Sequence, residues 1–309
     1  MGAAQLNAML DESVDRYSCR PAVMCGDHET DFERFDESVE WLIGDLCARG
    51  VQRRQRIGLC ISGGWEFLLA FHALVRLDTV VVPVDPFDEA SLGAAGELDL
   101  HFILSHRTDE LFLEETVELI CGEEMRPTSY VAEEFTLVAV SEQAPLHGEA
   151  GLLLSDIDFR FWTQCEVVDR IGDLRSELDL NPDARALICG PWSCASAVLL
   201  VLACAAAGSC VEVPADRGSG TGPGDVATED VSVVFAPPML MHDLVRLADP
   251  AAGALNHPRM MLPDGEVLPE VVLRRRGLKR QTLNDPPVYE FASTRPARAF
   301  GPAELRPVS

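Results

Sequence analysis

Few residues in this chain have the type and spacing that chemistry needs, and the first candidates are Ser193 and Cys194 in Gly190-Pro191-Trp192-Ser193-Cys194. A hydroxyl or thiol where a turn enters an apolar helix is a possible nucleophile. The nucleophile elbow, however, needs a glycine two residues to either side of the serine. Here Gly190 lies three residues back and Ala195 stands in the second glycine's place, so a structural turn is the favoured reading. A second stretch, Arg217 to Asp225 (RGSGTGPGD), is rich in glycine, which phosphate loops require, yet it lacks their lysine and opens no helix. It reads as a flexible connection. The ten cysteines are scattered without a C-x-x-C pair and mostly sit in apolar contexts, as buried reduced thiols do. Among seven histidines there is no H-E-x-x-H, and His101 and His106 are five apart, which is wrong for one helical face. No metal site is expected.

Charge excludes more than it suggests. Fifty acids against 25 bases give a formal charge of −25, a field that repels phosphate backbones, so neither nucleic acid nor a membrane is an expected partner. Only one basic residue is a lysine, Lys279. At 309 residues and 47% hydrophobic the chain can bury a large core. The longest apolar run, Ala195 to Gly208, is too short to span a bilayer, and no signal peptide opens the sequence. A cytoplasmic location is expected.

The elements that must position any site begin in residues 20–86. Thr30 and Glu33 stand at capping-box spacing, and Phe35, Val39, Leu42, Ile43 and Leu46 recur at helical intervals until Gly50. Arg56 to Ile61 is an apolar run, Ser62-Gly63-Gly64 a turn, Trp65 to Leu77 a helix and Thr79 to Val84 a β-branched strand. Strand, helix and strand at this spacing form a βαβ unit and require a parallel sheet. Strands are expected at Phe102 to Leu104 and Phe135 to Val140, with a helix from Asp109 to Cys121 and acids such as Glu114, Glu115, Glu123, Glu124, Glu133 and Glu134 on solvated faces. Downstream, Gly151 to Leu154, Ala184 to Cys189, Ser209 to Val213 and Val231 to Pro238 read as strands, and Cys194 to Ala207 as a buried helix.

The order RPAV, a Gly26-Asp27 turn, Asp31-Phe32, ARGV, RIGLCIS, WEFLLAFHALVRL and VVVPVDP resembles the opening of the adenylate-forming superfamily. That superfamily includes acyl-CoA synthetases, nonribosomal-peptide adenylation domains and luciferases. The resemblance implies an α/β fold of layered βαβ sheets, as in the N-terminal part of those enzymes, without the C-terminal lid domain. It implies one domain over residues 1–309 with two sheet layers at approximately 1–150 and 151–309.

What the resemblance implies about chemistry is mostly loss. Where the family's strand runs into a glycine-rich loop ending in Pro-Lys-Gly, this chain has only Ser155-Asp156-Ile157-Asp158 before Trp162-Thr163-Gln164. Two aspartates would face the phosphates, a like-charge contact that costs more than about 1 kcal/mol even when screened. Trp192 stands near the family's acyl-pocket histidine and would fill or close that pocket. Val231 to Pro238, then Met239 to Leu247, resemble a further strand and helix of the family. Asp264-Gly265 stands for the glycine pair of the next box, and Arg274 to Arg276 read as a basic helix end. Glu290 to Arg295 resembles the motif whose aromatic ring stacks on adenine, whose threonine touches the α-phosphate and whose glutamate binds magnesium. Phe291 and Thr294 keep the first two features, whereas Arg295 replaces the metal ligand with a cation. The sequence given ends at Ser309, so the ribose-binding aspartate and the lid lysine are also expected to be missing, and Lys279 sits on the wrong motif to serve.

The expectation is therefore a degenerate adenylate-forming-like protein that does not adenylate by itself and has no catalytic residue, no metal and no cofactor, ATP and magnesium included. It would bind a carboxylic or aryl acid, an acyl intermediate or a partner protein in bacterial natural-product biosynthesis, through a cleft lined by Trp192, Ser193, Phe291, Ala292, Ser293, Thr294 and Arg295. Two alternatives stay open. One is a ligase with a rebuilt ATP site or a lid borrowed from a partner. The other is an acyl-transfer or hydrolytic enzyme using Ser193 or Cys194. Phe159, Phe161, Trp162, Phe291 and Phe300, rimmed by Arg295, Arg298 and Arg306, would form an apolar face for a homodimer or an acidic carrier protein.

Overall fold

The computed structural model describes residues 3–106, 117, 120, 128–131, 135–141, 144–155, 159–214, 231–241, 258–263, 266–268, 270, 273, 278–280 and 288–291. Helix α1 (Ala3–Tyr17) leads into a hairpin of β1 (Pro21–Cys25) and β2 (His28–Asp31), and α2 (Phe32–Ala48) follows without a gap. Helix α2 buries Phe32, Phe35, Val39, Leu42 and Leu46, the face read from their spacing. Its cap lies one residue later than expected. Thr30 is paired with Val23 in the hairpin, so Asp31 takes the cap position and accepts a hydrogen bond from the Arg34 N–H at 2.8 Å.

The expected βαβ unit forms as β3 (Arg56–Cys60), α3 (Gly64–Arg76) and β4 (Val80–Pro83), with Ile57 beside Val81 in a parallel ladder. Next come α4 (Glu89–Gly96), β5 (Phe102–His106), β6 (Thr128–Val131), β7 (Phe135–Ala139), β8 (Gly151–Ser155) and β9 (Phe159–Thr163). Helix α5 (Gln164–Glu177), β10 (Arg185–Ile188), α6 (Ala195–Ala207), β11 (Cys210–Val213), β12 (Val233–Phe235), β13 (Arg259–Met261), β14 (Leu278–Arg280) and β15 (Val288–Phe291) complete the described elements. Of the helix expected at Asp109 to Cys121, Val117 and Ile120 are helical and buried, and the rest lies outside the described residues. Arg274 to Arg276 lie outside them too, and the end of that stretch, expected to be helical, is strand β14.

The strands form a seven-stranded sheet in the order β6-β7-β5-β3-β4-β8-β9 and an eight-stranded sheet in the order β14-β15-β13-β12-β10-β11-β1-β2. The chain therefore does not divide between sheets near residue 150. The hairpin β1-β2 joins the later sheet and β8-β9 closes the earlier one, because pairing partners are chosen by packing rather than by sequence order.

Period-2 alternation of side chains sends each strand's residues into two cores. Ile57 and Leu59 of β3, Val81 of β4, Ala186 and Ile188 of β10, and Val233 and Phe235 of β12 all enter one central cluster with α2, α3, α5 and α6. Their neighbours turn outward. Cys60, Val80 and Val82 pack with Leu92 and Ala95 of α4 on the far side of the seven-stranded sheet. Leu187 and Val234 pack with Met260 and Tyr289 on the far side of the other. Helix α6 is buried around nearly its whole circumference, as expected of an element enclosed by sheets and helices.

One titratable group sits inside this helical layer. His72 of α3 is buried, its Nδ1 lies 2.8 Å from the Leu68 carbonyl oxygen, and the Phe35 ring packs edge-on at 5.0 Å. Burial pushes its pKa down to about 4, opposed by the Leu68 bond and reinforced by Arg76. The unfolded chain then takes up a proton near pH 6.5 that the folded chain refuses until about pH 4. Stability is accordingly lost as pH falls through that window, by on the order of 3 kcal/mol. Urea denaturation between pH 7 and pH 4 is expected to show this slope, and His72→Gln to flatten it; an unchanged slope in the variant would refute the assignment.

Candidate functional site

Strands β3, β4, β5 and β8 are parallel, so their C-terminal ends share one edge of the seven-stranded sheet, where open α/β sheets place their chemistry. After β3 the chain turns through Ser62 and Gly63 into α3. Gly63 has φ +131°, and a Cβ there would lie 2.2 Å from Nε1 of Trp192. Trp192 follows β10 of the other sheet, is 8% exposed and stacks obliquely on Phe67 with ring centroids 5.3 Å apart. The turn after β10 is thus seated on the turn after β3. Trp192 is a core residue that fills the space between them.

Ser193 is half-buried beside it, and Cys194 occupies the N-cap of α6. The Cys194 thiol donates to the Pro191 carbonyl at 3.2 Å and lies 3.5 Å from the Ser196 hydroxyl. Burial pushes Cys189 and Cys210 up to about 12, which keeps both as unreactive thiols at neutral pH. Phe291 is the last residue of β15, opposite Leu278 of β14. Ala292, Ser293, Thr294 and Arg295 lie outside the described residues.

The stretch read in the sequence as lacking a phosphate-holding loop contains a second strand. Strand β9, which sequence periodicity did not suggest, runs antiparallel to β8 with Gly151 opposite Thr163 and Ser155 opposite Phe159. Only three residues, 156–158, connect the paired ends. A glycine-rich loop that wraps a triphosphate with its own N–H groups needs more chain than that, and Asp156 and Asp158 supply the wrong charge.

The aromatics of β9 are not an open face. Phe159 and Phe161 are half-buried against the outer cluster of the seven-stranded sheet, and the half-buried Trp162 packs on the central one. The His147 ring lies 4.1 Å from that of Phe161, and the Arg160 guanidinium 4.6 Å from the Trp162 ring centroid. The hairpin closes into α5 through a capping box that sequence reading missed. Glu166 accepts from the Thr163 N–H at 2.9 Å, and Thr163 Oγ1 accepts from the Glu166 N–H at 3.2 Å; the Thr163 N–H bond first, and the bond between the Thr163 hydroxyl and the carboxylate at 3.0 Å second, hold the Glu166 carboxyl below its usual range.

One further pair appears at this edge. His106 ends β5 and Glu66 lies in the first turn of α3, with Nε2 and Oε1 3.9 Å apart. No sequence spacing joins them; the pairing of Cys60 with Ser105 does. Among the described residues no group of three or more His, Cys, Asp or Glu is placed to hold a metal ion. No described helix is long and apolar enough to cross a membrane.

Residues 10–154 match the family model described as AMP-binding enzyme. Phosphinothricin tripeptide synthetase PhsC of Streptomyces viridochromogenes is 28% identical over 81 residues, 26% of this chain and 8% of that protein. Among solved structures, a protein described as a long-chain-fatty-acid CoA ligase from Rhodopseudomonas palustris superposes with a TM-score of 0.67 at 14% identity, over 87% of this chain and 71% of that one. A four-domain nonribosomal peptide synthetase bound to AMP and glycine gives 0.66 at 13% identity, over 91% of this chain and 21% of that one. The N-terminal domain of FACL13 from Mycobacterium tuberculosis gives 0.62 at 15% identity, over 88% and 81%. The chain thus spans about a fifth of the nonribosomal synthetase.

The seating of Trp192 on Gly63 is testable. Gly63→Ala is expected to cost about 2 kcal/mol or more, through both the steric contact and the left-handed φ. In a Trp192→Ala background the same change is expected to cost at least about 1 kcal/mol less, because the contact term is gone. Equal costs in the two backgrounds, measured by denaturant titration, would disprove the interlock.

Proposed function

Given that this chain carries the fold of the N-terminal part of the adenylate-forming superfamily, we propose that it does not adenylate by itself and instead binds a carboxylic or aryl acid, or an acyl intermediate, beside an enzyme of natural-product biosynthesis. The observation that carries this reading is the β8-β9 register. Pairing of Ser155 with Phe159 leaves three connecting residues, two of them aspartates, where the resemblance calls for a phosphate-holding loop. Arg295 supports it from the other motif, since a guanidinium offers no oxygen to magnesium. The biosynthetic setting is supported by the similarity to a tripeptide synthetase and by the superposition on a nonribosomal synthetase.

ATP–pyrophosphate exchange decides the first half. With magnesium and a panel of aliphatic and aryl acids, exchange is expected to stay at the level of the acid-free blank, and robust magnesium-dependent exchange would overturn the reading. Equilibrium binding of the same monocarboxylic acids without nucleotide decides the second half. Saturable binding of at least one is expected, and none across the panel would remove the acid-binding role.

A further inference from the structure

A cavity of about 40 Å3 lies inside the helical layer, bounded by α1, α2, α3, α6 and the paired strands β1 and β11. Its wall is almost wholly apolar, built from side chains such as Leu10, Val23, Phe35, Leu68, Val201 and Val211. At roughly 10–15 Å3 for each water-sized sphere, it has room for about three. Trp192 takes no part in the lining.

His72 lines the same cavity and brings it an unused polar atom. The residue is 7% exposed, and its Nδ1 lies 2.8 Å from the Leu68 carbonyl oxygen. A carbonyl only accepts, so Nδ1 carries the proton and Nε2 the free lone pair. Nε2 is buried and has no hydrogen-bond partner among the described residues. The other polar side chains on the lining are engaged. Asp36 accepts from Arg76, which also donates to Asp11, and the Ser209 hydroxyl donates to the Asn181 carbonyl at 2.8 Å. Arg76 and Asp36 are partly exposed, so they stand where the cavity meets solvent.

An unpaired acceptor on an apolar wall limits what can fill the space. Empty cavities in proteins are apolar throughout, and a buried water makes about two to four hydrogen bonds where this wall offers a single free partner. A charged ligand would be buried without a counter-charge, because Arg76 and Asp36 already pair with each other. A molecule that donates one hydrogen bond and is otherwise apolar meets every condition. We propose that this cavity binds a small neutral molecule of the size of a short-chain alcohol, its hydroxyl donating to Nε2 of His72 and its carbon chain packed on the aliphatic wall. The proposal does not rest on the acid-binding reading above, which concerns carboxylic acids.

Ethanol and dimethyl ether test it, since the two isomers have the same atoms and only ethanol has a donor. Nitrogen NMR of protein with labelled histidine reads the site directly, because accepting a hydrogen bond moves the Nε2 resonance. Ethanol is expected to shift the His72 resonance saturably, with a dissociation constant in the millimolar range, near the limit for about three non-hydrogen atoms. Dimethyl ether is expected to bind at least tenfold more weakly. Ala205→Val enlarges a side chain of the lining and leaves His72 in place. It is expected to weaken ethanol binding at least tenfold while keeping the folded circular dichroism; the comparison of isomers needs no variant. No saturable shift, equal binding of the two isomers, or unchanged ethanol affinity in folded Ala205→Val would overturn the proposal. So would an Nε2 resonance that is already in its hydrogen-bonded range without alcohol and unmoved by it, the sign of a resident water.

Discussion

Burial of α3 and α6 in the layer between the two sheets is the constraint on which the rest of the structure depends. Phe67 to Val75 of α3 are all buried, and α6 exposes almost none of its surface. Each fully buried Leu, Val or Phe stabilises the fold by about 1.5–3 kcal/mol relative to exposure, so neither helix is stable outside this layer. Enclosing them requires sheets that are apolar on the faces turned inward. The alternation of Ile57 and Leu59 with Cys60, and of Ala186 and Ile188 with Leu187, then leaves outer faces that need their own cover.

That layering also decides what happens at the strand ends. Because α3 starts directly from β3 and α6 from just beyond β10, their entry turns meet, and Trp192 occupies the meeting point over Gly63. A large indole there fills the junction between the two turns. On the same edge of the seven-stranded sheet, β9 pairs antiparallel with β8, and its aromatics pack onto the cores.

The opposite edge keeps its polarity. At the strand starts of the eight-stranded sheet, Arg20, Arg185 and Arg259 surround open space rather than an apolar side chain. Glu212 explains part of this arrangement. It is 3% exposed in the middle of the sheet, burial pushes its pKa up, and Arg185 opposes that shift. A buried carboxylate needs such a partner, and Arg185 supplies it at 3.6 Å.

The sequence by itself determined the local elements. Helical periodicity marked the buried face of α2, the run from Cys194 to Ala207 marked α6, and the β3-α3-β4 unit followed from strand, turn and helix signals that lie within a few residues of one another. The missing glycines and lysine near Ser155 were equally legible, since composition needs no coordinates. Only the tertiary structure decided that Asp31 rather than Thr30 caps α2, that β9 pairs with β8, that β1-β2 belongs to the later sheet, and that Trp192 is buried. The same holds for the Glu66–His106 pair and the three arginines, separated by tens of residues or more along the chain. The physical reason is common to all of these. A helix is specified by contacts three and four residues apart, whereas the partner of a strand and the neighbour of a side chain at its end are set by which sheet face finds cover.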